Sequence, residues 1–343
     1  MLKIYILFQQ TFMKVIIDSA IPFIRGVVEP WAEVVYCSGT KINSEVVRDA
    51  DALIVRTRTR CDRTLLEGSR VRFIATATIG RDHIDEAYCQ SAGIEVASAA
   101  GCNARGVLQW VSAALAHLLT TDSKRPEQCT LGVVGVGNVG SLVVEYARHW
   151  GFRVMKCDPP RQEREGGDYT TIEDIAKHAD IITLHTPLDA TTHHLVDERL
   201  LSIMRPDAVI INASRGAVVD NAAVASSDHR YIFDVWESEP ALDEKILRRA
   251  MLATPHIAGY SQQGKANATT MVINALARHF GLPLTEWRPT DVTPTTPKHI
   301  SWNAMCATIE DYFSIEEESH TLKSSPEMFE TLRNNYNYRE EYF

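Results

Sequence analysis

The sequence predicts an α/β protein of doubly wound parallel sheets, and three observations carry that prediction. From Met13 to about residue 103, short apolar runs alternate with amphipathic segments, which implies parallel strands joined by crossover helices. Two further apolar runs, Leu131–Val136 and Phe152–Cys157, flank a glycine turn and a helical segment that ends at Trp150. Later apolar runs end in polar residues, where open α/β sheets place their ligands.

The stretch from Thr130 to Asp158 reads as strand, glycine turn, helix, strand and acid, the order a dinucleotide site requires. Gly135 permits a tight turn, and Gly137 lets the backbone approach a pyrophosphate that any Cβ would obstruct. Gly140 lets the helix pack closely on the strand. The N–H groups and positive dipole end at Asn138 and Val139 then face the phosphates. Asp158 stands 18 residues past Gly140, where a carboxylate accepts both ribose hydroxyls and repels the extra phosphate of NADP. The cofactor expected is NAD.

In chain order, strands are expected at Lys14–Asp18, Glu33–Tyr36, Ala52–Arg56, Arg72–Ala75 and Ile94–Ala97, with helical patterns at Ser44–Arg48 and Ile84–Ala92. Asn103 is placed to cap a long helix, Ala104–Leu119, whose apolar positions run nearly all round and predict burial between domains. More strands follow at Ile181–His185, Ala208–Asn212, Tyr231–Asp234 and around Met251–Ala253. A helix over Gly264–Phe280 then leads back to the first domain. The expected organisation is a Rossmann-type nucleotide domain (104–261) inserted in a flavodoxin-like α/β substrate domain (13–103 and 262–281). Residues 1–12 read as an extension outside the fold. Leu282–Pro297 holds four of the fourteen prolines and reads as an extended linker. The aromatic and acidic segment beyond it is too short for a core of its own, which predicts packing on the body or pairing with a second subunit.

Composition narrows the function. With 44 acidic against 35 basic residues, the formal charge of −9 argues against nucleic acid or an anionic membrane as partner. Seven scattered cysteines without a CxxC pair read as buried thiols of a reducing cytoplasm, not a disulfide framework or zinc site. No apolar run approaches a membrane span, and Met1–Phe12 lacks the small-residue cleavage site of a signal peptide. The histidines look too dispersed in sequence to ligate a metal.

Three segments carry candidate chemistry: Asn212-Ala-Ser-Arg-Gly216, Asp234-Val-Trp-Glu-Ser-Glu-Pro240 and Thr254-Pro-His-Ile-Ala-Gly-Tyr260. An arginine beside glycine at a strand end offers two parallel donors to a carboxylate. A histidine oriented by an acid removes a hydroxyl proton as hydride leaves the same carbon. Taken singly, Arg215 is equally a structural ion pair, His256 a loop residue, and Asp234, Glu237 and Glu239 a cap and two solvated acids.

Those segments, with Ala75-Thr-Ala-Thr-Ile-Gly-Arg-Asp-His-Ile-Asp85, Gly101-Cys-Asn-Ala104, Cys157-Asp-Pro-Pro-Arg161 and His185-Thr-Pro187, resemble the D-isomer-specific 2-hydroxyacid dehydrogenases over roughly Met13–Phe280. The resemblance implies Arg215 as the catalytic arginine, His256 as the acid/base, and Glu239, directly before Pro240, as its carboxylate. It implies Thr57 and Thr78 as substrate contacts beside Arg215 and His256. Asp158, Thr186, Ala213, Ser214, Asp234, Gly259 and Tyr260 become further cofactor contacts. The implied reaction is oxidation of 4-phospho-D-erythronate by NAD to the 2-oxo acid in the cytoplasm, by a homodimer paired through its C-terminal segment, with no metal. Another D-2-hydroxy acid (phosphoglycerate or glycerate) and a non-catalytic NAD-sensing protein remain the alternatives. Four features depart from the pattern. Arg56, Arg58 and Arg60 alternate and would share one strand face as a phosphate cradle or a solvated edge. Arg81 replaces a smaller residue, Arg105 replaces an apolar one after Asn103, and the segment 221–234 looks short.

Overall fold

The computed structural model describes residues 13–343, and the expected extension over 1–12 lies outside the described residues. The chain divides into two units: one runs to Cys102 and includes Lys265–Val292, the other is Asn103–Gly264 with Thr293–Phe343.

The first unit holds a five-stranded sheet of β1 (Met13–Asp18), β2 (Ala32–Cys37), β3 (Ala52–Val55), β4 (Phe73–Thr76) and β5 (Glu95–Ser98), in the order β2-β1-β3-β4-β5. All pairings are parallel, and this is the flavodoxin-like order. The strands are apolar on both faces because both are covered. Ile16, Leu53, Val55 and Ile74 pack with Val47 and Leu66 on one side. Val15, Ile17, Ile54 and Phe73 pack with Val272, Ile273 and Leu276 on the other. Each such side chain contributes about 1.5–3 kcal/mol by leaving water.

The arginine-rich stretch departs from expectation. β3 stops at Val55, and 56–60 is a turn closed by the Thr59 N–H on the Arg56 carbonyl (3.1 Å) and the Thr59 hydroxyl on the Gly39 carbonyl (3.0 Å). Arg56 donates to the Ala20 carbonyl (3.2 Å), and Arg60 pairs with Asp62 (3.1 Å). The three side chains therefore share no strand face. The alternation of Arg and Thr imitates a period of two, but Thr59 has a tertiary partner that strand geometry would deny it.

The second unit holds β6 (Thr130–Val134), β7 (Arg153–Cys157), β8 (Ile181–Leu184), β9 (Val209–Asn212), β10 (Arg230–Phe233) and β11 (Leu252–Ala253). Their order is β11-β10-β9-β8-β6-β7, again all parallel. After β6 the chain steps to β7 on one side and returns to β8 on the other. This places a topological switch point at the carboxyl end of β6, where the glycine turn lies. Helix Ala104–Thr121 is buried along most of its length, with Trp110, Ala114 and Leu115 sealed from solvent. Asn103 does not cap it through its side chain. That side chain turns instead to Gly259, where a Cβ would come within 1.9 Å of Asn103 Nδ2.

The C-terminal segment forms helices Trp302–Tyr312, Ile315–Ser324 and Phe329–Asn334. Met305, Ile309, Phe313 and Phe343 join the same core as helix Ala104–Thr121 and helix Asn138–Trp150. The Trp150 indole donates to the Ile300 carbonyl (2.9 Å) and the Tyr146 hydroxyl to that of Lys298 (2.9 Å). Within 221–234 a six-residue helix, Asn221–Ser226, capped by the Asp220 carboxylate, leads into β10. Among the described residues no helix is long and apolar enough to cross a membrane. All seven cysteines are free thiols.

Candidate active site

The glycine turn has a distinct physical reason at each position. Gly135 has φ +83°, and a Cβ there would lie 2.7 Å from the His185 carbonyl. A Cβ on Gly140 would lie 1.9 Å from the Gly135 oxygen, so only glycine lets helix Asn138–Trp150 approach β6 this closely. At Gly137 a Cβ would meet nothing within 4 Å. No protein atom requires glycine there, and the turn is open to an approaching backbone-sized group at that position. Asn138 is exposed and Val139 half-buried at the same helix start.

Asp158 follows β7 and closes the turn from the other side. Its carboxylate accepts the N–H groups of Val136 (2.8 Å) and Arg161 (2.9 Å). Arg161 braces the loop further, donating to the Val136 carbonyl and to Ser141 Oγ (2.8 Å). After β8, the Thr186 hydroxyl and His185 Nδ1 are buried without a protein partner. His185 is half-buried with its Nδ1 shut off from solvent, and burial pushes the imidazole down to about 3, so it is neutral. Open space at Gly137, unsatisfied groups at 185–186 and a carboxylate at the end of β7 together fit NAD.

The catalytic candidates stand at the carboxyl ends of three neighbouring strands. After β9, Asn212 Oδ1 accepts the Ser214 N–H (3.0 Å) and hydroxyl (2.8 Å), and its Nδ2 donates to the Arg215 carbonyl (2.9 Å). These bonds set the turn from which Arg215 projects, past the half-buried Ala213. Gly216 sits so close to Trp236 that a Cβ would lie 2.0 Å from the Trp236 carbonyl, which locks this turn to the segment after β10.

After β10, the buried Asp234 carboxylate accepts from the Thr254 hydroxyl (2.6 Å) and from the N–H groups of Ile257 (2.8 Å) and Ala258 (2.9 Å). Burial pushes its carboxyl above the ordinary range, against the pull of His256 and these donors. Asp234 thereby shapes the turn that carries His256, whose φ of +57° is left-handed. His256 Nδ1 lies 2.7 Å from Glu239 Oε2, and Glu239 Oε1 accepts the Trp236 N–H (2.9 Å). Burial alone would raise the Glu239 carboxyl, but His256, the Trp236 N–H and Arg333 outweigh it and hold it below the usual carboxylate value. With the carboxylate accepting at Nδ1, the imidazole keeps Nε2 as a proton acceptor.

Glu237, the rejected alternative, serves a different contact: its Oε1 lies 2.6 Å from His194 Nε2. The fold also brings His193 beside this pair, so three potential ligand groups cluster within 4.8 Å although the histidines look dispersed in sequence. Thr57 and Thr78 lie on the first unit, after β3 and β4. Thr57 is exposed. Thr78 bonds Thr76 Oγ1 (2.6 Å) and donates to the Gly80 carbonyl (3.2 Å), while Arg81 pairs with Glu86 (3.1 Å).

Two residues of the site were not read from the sequence. Arg333 lies 3.7 Å from Glu239 Oε2 and donates to the Tyr260 hydroxyl (3.2 Å). Arg339 donates to the carbonyls of Ile257 (3.0 Å), Gly106 (2.8 Å) and Ala258.

The D-isomer specific 2-hydroxyacid dehydrogenase NAD binding domain matches residues 104–258. An erythronate-4-phosphate dehydrogenase of Bacteroides thetaiotaomicron is 45% identical over 340 residues, covering 96% of this chain and 97% of that protein. The chain belongs to the erythronate-4-phosphate dehydrogenase family. A second member, from Ectopseudomonas mendocina, is 46% identical over 276 residues, covering 79% of this chain and 73% of that protein. Among solved structures, the D-lactate dehydrogenase of Aquifex aeolicus complexed with NAD and lactic acid matches with TM-score 0.64 and 25% identity over 78% of this chain and 96% of that one. The NAD-bound 3-phosphoglycerate dehydrogenase of Entamoeba histolytica matches with TM-score 0.66 and 25% identity, over 78% and 95%. This erythronate-4-phosphate dehydrogenase family member is an NAD-dependent oxidoreductase.

Proposed function

We propose that this chain oxidises 4-phospho-D-erythronate to (R)-3-hydroxy-2-oxo-4-phosphooxybutanoate, a step toward pyridoxal phosphate. The observation that supports this most is the pairing of His256 with Glu239, at the sheet end that also carries Arg215 and the glycine turn. NAD supplies the hydride acceptor. Gly135, Gly137, Asn138, Val139 and Gly140 would hold its diphosphate, with Asp158 at the ribose and Thr186, Ala213, Ser214, Asp234, Gly259 and Tyr260 along the remainder.

Arg215 holds the substrate carboxylate with its forked donors. His256 Nε2 takes the proton of the C2 hydroxyl as the C2 hydrogen leaves with its electron pair. The imidazolium formed is stabilised by Glu239, which receives a charge-assisted hydrogen bond at Nδ1. Thr57 and Thr78 are the further substrate contacts of this reading.

The test is NAD reduction on 4-phosphoerythronate, 3-phosphoglycerate and glycerate. Turnover of phosphoglycerate with none of phosphoerythronate overturns the substrate. Wild-type activity in His256→Ala removes the base.

The protein acts in the cytoplasm as a homodimer. Tyr312 and Met328 on the C-terminal segment are large hydrophobic side chains left exposed, at 39% and 40%. Light scattering at twice the chain mass, lost in Met328→Asp, is the expected result. A monomeric wild type refutes the pairing.

A further inference from the structure

We propose that Arg333 of the C-terminal segment is a positioning residue of the catalytic pair, holding the Glu239 carboxylate in competition with His256 and anchoring Tyr260 beside it. The inference rests on the reading of His256 as the base.

The geometry is specific. Arg333 is carried on helix Phe329–Asn334, whose Phe329 is buried in the core of the second unit. Its Nη1 lies 3.7 Å from Glu239 Oε2, the same oxygen that His256 Nδ1 approaches at 2.7 Å. Its Nε donates to the Tyr260 hydroxyl at 3.2 Å. The guanidinium is three-quarters covered, with 25% of the side chain exposed, and the carboxylate is 18% exposed, so solvent screens the pair little. Burial opposes the charge on Arg333, but Tyr260 and Glu239 more than offset it.

Other charged groups face the pair. Asp234 approaches from β10, its carboxylate already taken by the 254–258 turn. Glu318 and Tyr336 approach Asp234 from the C-terminal segment, and Arg339 holds the carbonyls of Ile257 and Ala258. Arg333 alone of these cations reaches the Glu239 carboxylate.

A cation on the carboxylate that orients the base has a definite consequence. It draws the Glu239 carboxylate's charge away from the imidazole and so weakens the grip of that carboxylate on the ring. Taking the cation away strengthens the hold of Glu239 on the imidazolium.

Arg333→Met should therefore move the acid limb of kcat/KM for NAD-dependent oxidation to higher pH by about half a unit to one unit, the size expected for loss of one nearby charge. Arg333→Lys should bring the limb back most of the way. A purely structural role would lower activity equally at all pH values and would not distinguish Met from Lys.

The whole chain also permits a readout without turnover, the NMR titration of the His256 imidazole. If Arg333→Met does not fold, Arg333→Gln and Arg333→Lys carry the same comparison. Coincident limbs and titrations in wild type and the neutral variant overturn the proposal. So does a Lys variant that behaves as Met does. Because His256→Ala separately tests the base, an inactive His256→Ala with an unmoved Arg333→Met limb sinks this proposal alone.

Discussion

Replacing Glu239 by Gln keeps the side chain's shape and removes its charge, so it isolates what the carboxylate does for His256. The pair meets at 2.7 Å, with only 18% of the glutamate and 27% of the histidine side chain exposed. A hydrogen bond to a charged group contributes about 1.5–3 kcal/mol against about 1 for a neutral one. The difference bears on the transition state, where the imidazole becomes cationic, and not on free enzyme and substrate. About 0.5–2 kcal/mol of lost stabilisation corresponds to roughly a 2- to 30-fold fall in kcat/KM. NAD affinity, followed by quenching of protein fluorescence, should stay within about twofold, since Glu239 touches the base and not the glycine turn. The acid limb should move to lower pH, opposite in sign to Arg333→Met, because the imidazolium loses its partner. An enzyme within twofold of wild-type kcat/KM would refute the assignment of Glu239 to His256.

Further predictions follow from the same geometry. Gly137→Ala should leave the melting temperature within about a degree, since its Cβ meets no protein atom, yet weaken NAD binding measured by calorimetry at least tenfold. Gly140→Ala drives a Cβ into the Gly135 carbonyl, and overpacking of about 1–3 kcal/mol should lower the thermal midpoint by a few degrees along with NAD affinity. His185 has its folded value depressed to about 3, against about 6.5 unfolded. Its neutral burial therefore contributes stability that is full above pH 6.5 and lost as pH falls toward 3. Urea melts should show about 2 kcal/mol lost from this source by pH 5, and His185→Gln should flatten that dependence.

What the sequence disclosed was local. The glycine turn, the strands β6 to β10 and the acid at 158 depend on residues close together in the chain, where period and turn chemistry are visible. Arg56–Arg60 misled because its alternation imitates a strand, while the deciding bond joins Thr59 to Gly39, twenty residues away. Asn103 looked like a cap, but its side chain serves Gly259, more than 150 residues on. Arg333 and Arg339 were invisible for the same cause. Each lies in a polar, aromatic segment without a motif, and each reaches partners as far as 73 (Tyr260) or 233 (Gly106) residues earlier. The histidine cluster at 193, 194 and 237 likewise depends on two turns that meet only in the fold.

The turn that bears His256 is gripped from both edges. Asp234 takes the amides of Ile257 and Ala258, and Arg339 takes their carbonyls. Such a segment has no cheap way to fray, so the imidazole is aimed before any substrate arrives. Deuterium should enter those two amides only when the whole unit opens, which makes their protection a direct gauge of global stability. In this protein the reactive group and the scaffold should melt as one.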